Sequence, residues 1–374
     1  MTRHWAINGR FLAQSVTGVQ RYAREIVCAI DRKLANNPAI GRHLNVEVLM
    51  PPNAVVDFAL SAIRLRVVGR LSGHAWEQAE LPLHVKGGLL SLCNTGPILS
   101  RKHIVCMHDT NTRNYPGSYS PSFRALYRFL LPALGRSAES VSTVSHYSAG
   151  ELARHGICRP EKIFVAPNGH DHAREWRPRH SLKTQMASGP DTIVLVGSAA
   201  PHKNAKLILG MAQRLQAAGL RVAVAGMSDA RVFNLPVVEE APNLSWLGRL
   251  TDSELAALLQ DSMCLAFPSF AEGFGLPPLE AMALGCPVVV SDRASLPEIC
   301  GDAALYAAPD DADAWLSRFV KLRKSPRLRD DLIARGKDRT LRYRWDTSAE
   351  LYLMAMLESD GLLEPQAVLG EVFN

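Results

Sequence analysis

The chain has 374 residues, too many for one ordinary core and about right for two. Hydrophobic residues make up 47% and charged residues 21%, which excludes a disordered chain, and no run of about 18 uncharged apolar residues offers a membrane span. The formal net charge is +6 but uneven: residues 1–170 carry 20 Lys and Arg against 10 Asp and Glu, a net of +10 that leaves −4 for the rest.

A basic first half suits an anionic partner, such as a membrane surface or an acidic acceptor, and equally an ordinary solvated surface. Nucleic acid is disfavoured, because no basic run is interleaved with aromatics. The opening MTRHWAINGRFLAQ lacks the compact apolar core and cleavage site of a secretory signal. The seven cysteines, at 28, 93, 106, 158, 264, 286 and 300, are odd in number and form no CxxC pair. They read as reduced core residues of a cytoplasmic protein, not as a disulfide framework or a metal site.

Along the chain, short β-rich runs alternate with helical patterns. GVQRYAREIVCAIDRKLA is the first helix, followed by strands in NVEVLM, RLRVVG and HIVCMHD. SPSFRALYRFLLPALGRSA (120–138) is a second helix, with Arg124, Arg128 and Arg136 among large apolar residues. It reads either as a basic helix for a membrane interface or as a core helix with exposed arginines. SVSTVS and KIFVAPNG are further strands, and His170–Pro190 is polar, proline-containing and without apolar period, as expected of a linker. Beyond it come strands in TIVLVGS, RVAVAG, LSWLG, SMCLAFPS and CPVVVSD, with helices in AKLILGMAQRLQAAG and DSELAALLQ. YRWDTSAELYLMAMLES is a closing helix, capped by Asp346 or Thr347.

Continuous apolar strands with helices between them predict parallel sheets in two doubly wound α/β domains. The expected division is a Rossmann-like domain over 1–170, a linker over 171–190, a second such domain over 191–348, and a helix with tail over 349–374 that returns toward the first domain. Ligands of such sheets bind beyond the carboxyl ends of strands, so the expectation is a ligand in a cleft between the facing domains, with hinge closure.

PSFAEGFGLPPLEAMALGCPVVVSD (268–292) carries the strongest chemical signal. A strand ends near Pro268, a loop with Gly273 and Gly275 follows, and Pro277 and Pro278 open a helix that Gly285 closes. Free N–H groups at such a helix start attract an anion, so Phe274, Gly275 and Leu276 offer a diphosphate their backbone. Two carboxylates, Glu272 and Glu280, bracket this anion site. Beside a phosphate they repel unless they serve another part of the ligand, and sugar or ribose hydroxyls are the natural partners.

Glu272-x7-Glu280 closely resembles the donor motif of retaining family 4 glycosyltransferases, which have the GT-B fold. The similarity runs over roughly residues 5–350. It includes VTGVQRYAREI (16–26), CMHD (106–109), STVSHYSAGEL (142–152), VAPNG (165–169), VGSAAPHKN (196–204), LGRLTDSEL (247–255) and RWDTSAE (344–350).

The resemblance implies that Glu280 holds the ribose of a nucleotide donor, Glu272 the transferred sugar, and Lys203 the diphosphate leaving group. His108 would touch the donor sugar, and Gly18 would let its loop approach the phosphates closely. Read without the family, His108 is a hydrogen-bonded structural histidine, Lys203 a charge at a helix start and Gly18 a turn residue. Many members carry an arginine five residues before the lysine, where this chain has Ser198. His202 and Arg249 are the candidates for that second cation.

The resemblance further implies metal-independent transfer without a cofactor. It implies front-face attack with retention of the α configuration. The implied donor is GDP-mannose, with UDP-sugars as the alternative. The implied acceptor is a glycan or lipid-linked saccharide at the inner membrane face, in lipopolysaccharide or exopolysaccharide synthesis. Rival readings are a nucleotide-sugar epimerase of the same fold and a non-catalytic nucleotide-sugar-binding subunit.

Overall fold

The structure, a computed structural model, describes residues 3–100, 102–227 and 241–362. The chain divides into two compact units. Unit 1 holds the residues up to Thr110, Pro121–Asn168, and those from Trp345 on; unit 2 holds Asn111–Ser120 and Gly169–Arg344.

Unit 1 is built on a seven-stranded sheet in the order β3-β2-β1-β4-β5-β6-β7. Its strands are β1 (Arg3–Asn8), β2 (Leu44–Met50), β3 (Arg64–Val67), β4 (Gly88–Ser91), β5 (His103–Cys106), β6 (Ser140–Thr143) and β7 (Ile163–Val165). Unit 2 is built on a six-stranded sheet, β10-β9-β8-β11-β12-β13. Here the strands are β8 (Gly189–Val196), β9 (Arg221–Ala225), β10 (Leu244–Gly248), β11 (Ser262–Phe267), β12 (Val288–Ser291) and β13 (Ala304–Ala307). Every pairing within the two sheets is parallel. Both sheets therefore wind outward in two directions from an inner strand, as a doubly wound α/β fold requires. The switch point lies between β1 and β4 in unit 1 and between β8 and β11 in unit 2.

The apolar runs explain the interior strands. Every residue of β4, β5, β11 and β12 is buried, as expected of strands covered on both faces. The core of unit 2 packs Ile193, Leu195, Val222, Val224 and Cys264 against Ile208, Leu215, Trp315 and Phe319 from the covering helices. β1, β4 and β13 were not among the strands read from the sequence. β4 and β13 are only four residues long, and the apolar part of β1 is preceded by the exposed Arg3 and His4.

Three differences from the sequence reading bear on the site. Residues 171–190 are not a bare linker, because they form helices at Asp171–Glu175 and Leu182–Ala187 and the first residues of β8. Tertiary bonds support these short helices, which local periodicity could not reveal. Residues 111–120, read as part of the first domain, cluster with unit 2: Tyr115 stacks on Phe270 and Tyr119 on His202. The closing helix runs Trp345–Ser359, so Asp346 and Thr347 lie in its first turn and are not caps.

That helix joins unit 1 through side chains. The Tyr352 hydroxyl is 2.8 Å from that of Tyr22 and 2.7 Å from Ser142 Oγ, and Ser348 Oγ donates to Pro167 O at 2.6 Å. The tail expected beyond it, residues 363–374, lies outside the described residues. All seven cysteines are free thiols, five of them buried. Among the described residues no helix is long and apolar enough to cross a membrane.

Candidate functional site

In unit 2, two loops leave the carboxyl ends of adjacent strands at the switch point. The loop after β8 turns through Pro201–Lys203 and reaches Asn204 in the left-handed region, φ 55°. Asn204 Nδ2 donates to Pro268 O at 3.1 Å and to Pro309 O at 2.6 Å, and Phe270 N donates to His202 O at 2.8 Å. The loop after β8 is thus tied to the loop after β11.

This tie brings Lys203 to Glu272. The Lys203 Nζ lies 2.8 Å from both carboxylate oxygens, and 5.6 Å from the centre of the Phe267 ring. Glu272 is nearly buried, whereas the Lys203 side chain keeps 27% of its surface exposed. An ammonium has three donors and a carboxylate about four acceptor positions, so each partner retains capacity for a further ligand.

The loop that carries Glu272 is held from behind. Ser295 Oγ sits 3.0 Å from Glu272 O and 2.8 Å from Phe274 O, and Ser291 Oγ donates to Ser269 O at 2.6 Å. Phe274 meets the Tyr343 ring edge-on at 5.5 Å. Gly275 is the residue the turn demands. Its φ is +108°, and an added Cβ would lie 2.7 Å from Leu296 Cδ2. It caps the Leu276–Ala283 helix, whose first turn contains Pro277 and Pro278, as the sequence suggested. Gly275 and Leu276 thus open a helix start, where backbone N–H groups lack intrahelical partners, and Gly273 and Phe274 directly precede it.

Glu280 stands in the same helix, 6% exposed, and His172 Nε2 lies 2.9 Å from its Oε1. His172 was not singled out in the sequence. The cue for it was faint: a His-Asp-His run in what read as a linker.

The candidates for a second cation part company. Ser198 is exposed, with Oγ 3.5 Å from Ala200 N. His202 is buried, its backbone N donating to Ser118 Oγ at 3.2 Å and its ring stacked on Tyr119. Arg249 is exposed just beyond β10, an edge strand two places from β8.

His108 and Gly18 belong to unit 1. His108 follows β5 and is 6% exposed, with Nε2 2.8 Å from Leu92 O, its backbone N donating to Asn94 Oδ1 at 2.7 Å, and Tyr22 edge-on at 4.8 Å. Burial pulls its pKa down, but the Cys106 sulfur and the Leu92 carbonyl outweigh that and hold it above the ordinary histidine value. Gly18 begins the Gly18–Asn36 helix, and an added Cβ there would meet nothing within 4 Å.

At the switch point of unit 1 lies a second charged cluster. Arg10 Nε and Asn8 Nδ2 approach Glu77 Oε1 at 2.9 and 2.8 Å, Thr95 Oγ1 donates to the same oxygen at 3.1 Å, and His74 Nδ1 is 3.1 Å from Oε2. Glu77 is fully buried. Burial raises its pKa, yet His74, Arg10 and Asn8 together hold it below the ordinary glutamate value.

Residues 177–339 match the family model described as glycosyl transferases group 1. The O-antigen chain mannosyltransferase RfbU of Salmonella typhimurium is 27% identical over 92% of this chain and 97% of its own length. The O-antigen chain mannosyltransferase B of Escherichia coli is 29% identical over 65% of this chain and 67% of its own length. Among solved structures, WaaG, a glycosyltransferase involved in lipopolysaccharide biosynthesis, aligns with a TM-score of 0.65 at 16% identity, covering 94% of this chain and 98% of that one. At that identity the structural likeness speaks to the fold alone.

Proposed function

We propose, for a chain that is a glycosyltransferase of the GT-B fold, that it retains anomeric configuration and takes its sugar from a nucleoside-diphosphate donor held around Lys203, Glu272 and Glu280. The observation that carries this reading is the Lys203–Glu272 contact at 2.8 Å, set at the switch point beside the start of the Leu276–Ala283 helix. A cation, a helix start and a nearly buried carboxylate in one place suit a ligand that is anionic at one end and rich in hydroxyls at the other.

In this reading the Lys203 ammonium and the backbone N–H groups of 274–276 stabilise charge on the departing diphosphate. Glu272 accepts from hydroxyls of the sugar, and Glu280 from those of the ribose. The bond from the anomeric carbon to the diphosphate breaks through an oxocarbenium-like state. The acceptor oxygen bonds from the same face, and its proton passes to a phosphate oxygen of the donor. Lys203 meets the diphosphate while still near Glu272, so donor binding reorganises this ion pair. Turnover proceeds without a metal or cofactor.

Mannose is the proposed sugar, supported by the names of the two relatives; guanosine is the proposed base, with UDP-sugars as the alternative. The proposed acceptor is a glycan or lipid-linked saccharide of a cell-surface polysaccharide. The Pro121–Ser137 helix supports a peripheral membrane contact. Phe123, Leu126 and Phe129 are 37%, 40% and 66% exposed, and Arg124 and Arg128 are exposed beside them.

A panel of nucleotide sugars, scored by nucleoside diphosphate release and by the anomeric signal of the product, tests this reading. GDP-mannose should turn over, in the presence of a chelator as in its absence, and the new linkage should be α. Turnover confined to UDP-sugars would overturn the guanosine assignment, and a β product would overturn retention. Flotation with anionic liposomes should carry the protein at low salt and release it at high salt; no binding at low salt would remove the membrane contact.

A further inference from the structure

Glu280 is a buried carboxylate, and a buried charge costs free energy unless hydrogen bonds replace its water. Among the described residues one side chain bonds it. His172 Nε2 lies 2.9 Å from Oε1, and Oε2 has no bond to a described residue. His172 is itself 5% exposed, and Trp176 meets its ring edge-on at 5.4 Å.

The short helix that carries His172, Asp171–Glu175, with Trp176 just past its end, is too brief to stand alone. It is pinned instead by the chain around Tyr343. His170 N and Nδ1 lie 3.0 and 2.7 Å from Tyr343 O, and Asp171 pairs with Arg344 at 3.5 Å. Tyr343 in turn packs edge-on against Phe274 of the glycine loop. One set of contacts thus fixes His172 relative to both the loop and the helix of the candidate donor site.

We propose that His172 is the positioning residue for Glu280: its Nε2–H holds Oε1 and leaves Oε2 to accept from the ribose hydroxyls of the donor. The inference rests on the reading of Glu280 as the ribose clamp. A glutamate's terminal torsion is broad, so a carboxylate with no fixed donor does not present one oxygen in one place. A carboxylate has about four acceptor positions, and the imidazole uses one. One imidazole N–H orients the group and leaves its other acceptor positions open to hydroxyls. Supporting groups of this kind keep a recognition site within its productive geometry.

The test compares binding of GDP with that of its 2′,3′-dideoxy counterpart, or UDP with its counterpart if the donor panel selects uridine. It uses wild type, His172→Ala, His172→Gln and Glu280→Gln, each checked by thermal melt. Glutamine keeps an N–H at a reach similar to Nε2. His172→Ala should lower the preference for the ribose form about tenfold and raise the donor KM more than it lowers kcat, and His172→Gln should restore most of the preference. A merely structural role would weaken both ligands equally. If Glu280→Gln abolishes the preference while both His172 variants keep it, His172 does not position Glu280. If Glu280→Gln itself keeps the preference, the ribose clamp fails, and the positioning role falls with it.

Discussion

The two units share a topology, and each places charge at its switch point, but the two clusters differ in how far they are closed. In unit 1, Glu77 is fully buried and meets Arg10, Asn8, Thr95 and His74. In unit 2, Glu272 meets one ammonium, on a lysine side chain that is a quarter exposed. The first cluster has spent its hydrogen-bonding capacity on the fold, while the second holds capacity in reserve. The same order over the first six strands thus carries a saturated network in one unit and an unsaturated charged cluster in the other.

Mutation should break this comparison open. Glu77→Ala leaves Arg10 buried without its partner, and losses at such pairs run to about 3–5 kcal/mol. Denaturant unfolding should show a loss of that order, and a loss below about 1 kcal/mol would mean the network is not what closes unit 1. Lys203→Ala should do the reverse. The melt should move less than for Glu77→Ala, because removing a lysine side chain that is 27% exposed opens a way for water to Glu272, while turnover falls at least about tenfold, ~1.4 kcal/mol of barrier.

Unit 1 also holds a group sensitive to acid. Burial lowers the pKa of His103 in unit 1 to about 3. An unfolded histidine titrates near about 6.5, so between those values the unfolded chain binds the extra proton. Stability contributed by neutral His103 is thus complete above about pH 6.5 and lost as pH falls, by about 1.4 kcal/mol per unit at most. Stability against pH for wild type and His103→Gln should diverge below that point; parallel curves would show that His103 is not the group responsible. The smallest effect is expected at Arg249. Exposed beyond an edge strand, it should cost less on mutation to alanine than Lys203 does, and an equal loss of turnover would make it the second phosphate cation after all.

Much of unit 2 was legible because its signals are local. Gly275, Pro277 and Pro278 write their own turn and helix start, and Glu272 and Glu280 fall on either side of it. The parallel sheets were legible in the continuous apolar runs of β11 and β12. What stayed hidden depends on contacts between distant parts of the chain. The Asp171–Glu175 helix exists because Tyr343 and Glu280 receive it, and residues 111–120 join unit 2 through Phe270 and His202. No periodicity within those segments encodes such partners. The network at Glu77 was hidden for the same reason, since it gathers residues from 8 to 95 around one carboxylate.

The central claim is that unit 2 holds the donor through Lys203 and Glu280. Its most direct test is the rate of nucleoside diphosphate release from the preferred nucleotide sugar, measured for wild type, Lys203→Ala and Glu280→Gln alongside a thermal melt of each. Each variant should still fold, with any shift in the melt smaller than that of Glu77→Ala, and lose at least about tenfold in turnover. Full turnover in both variants, with folding intact, would contradict the account.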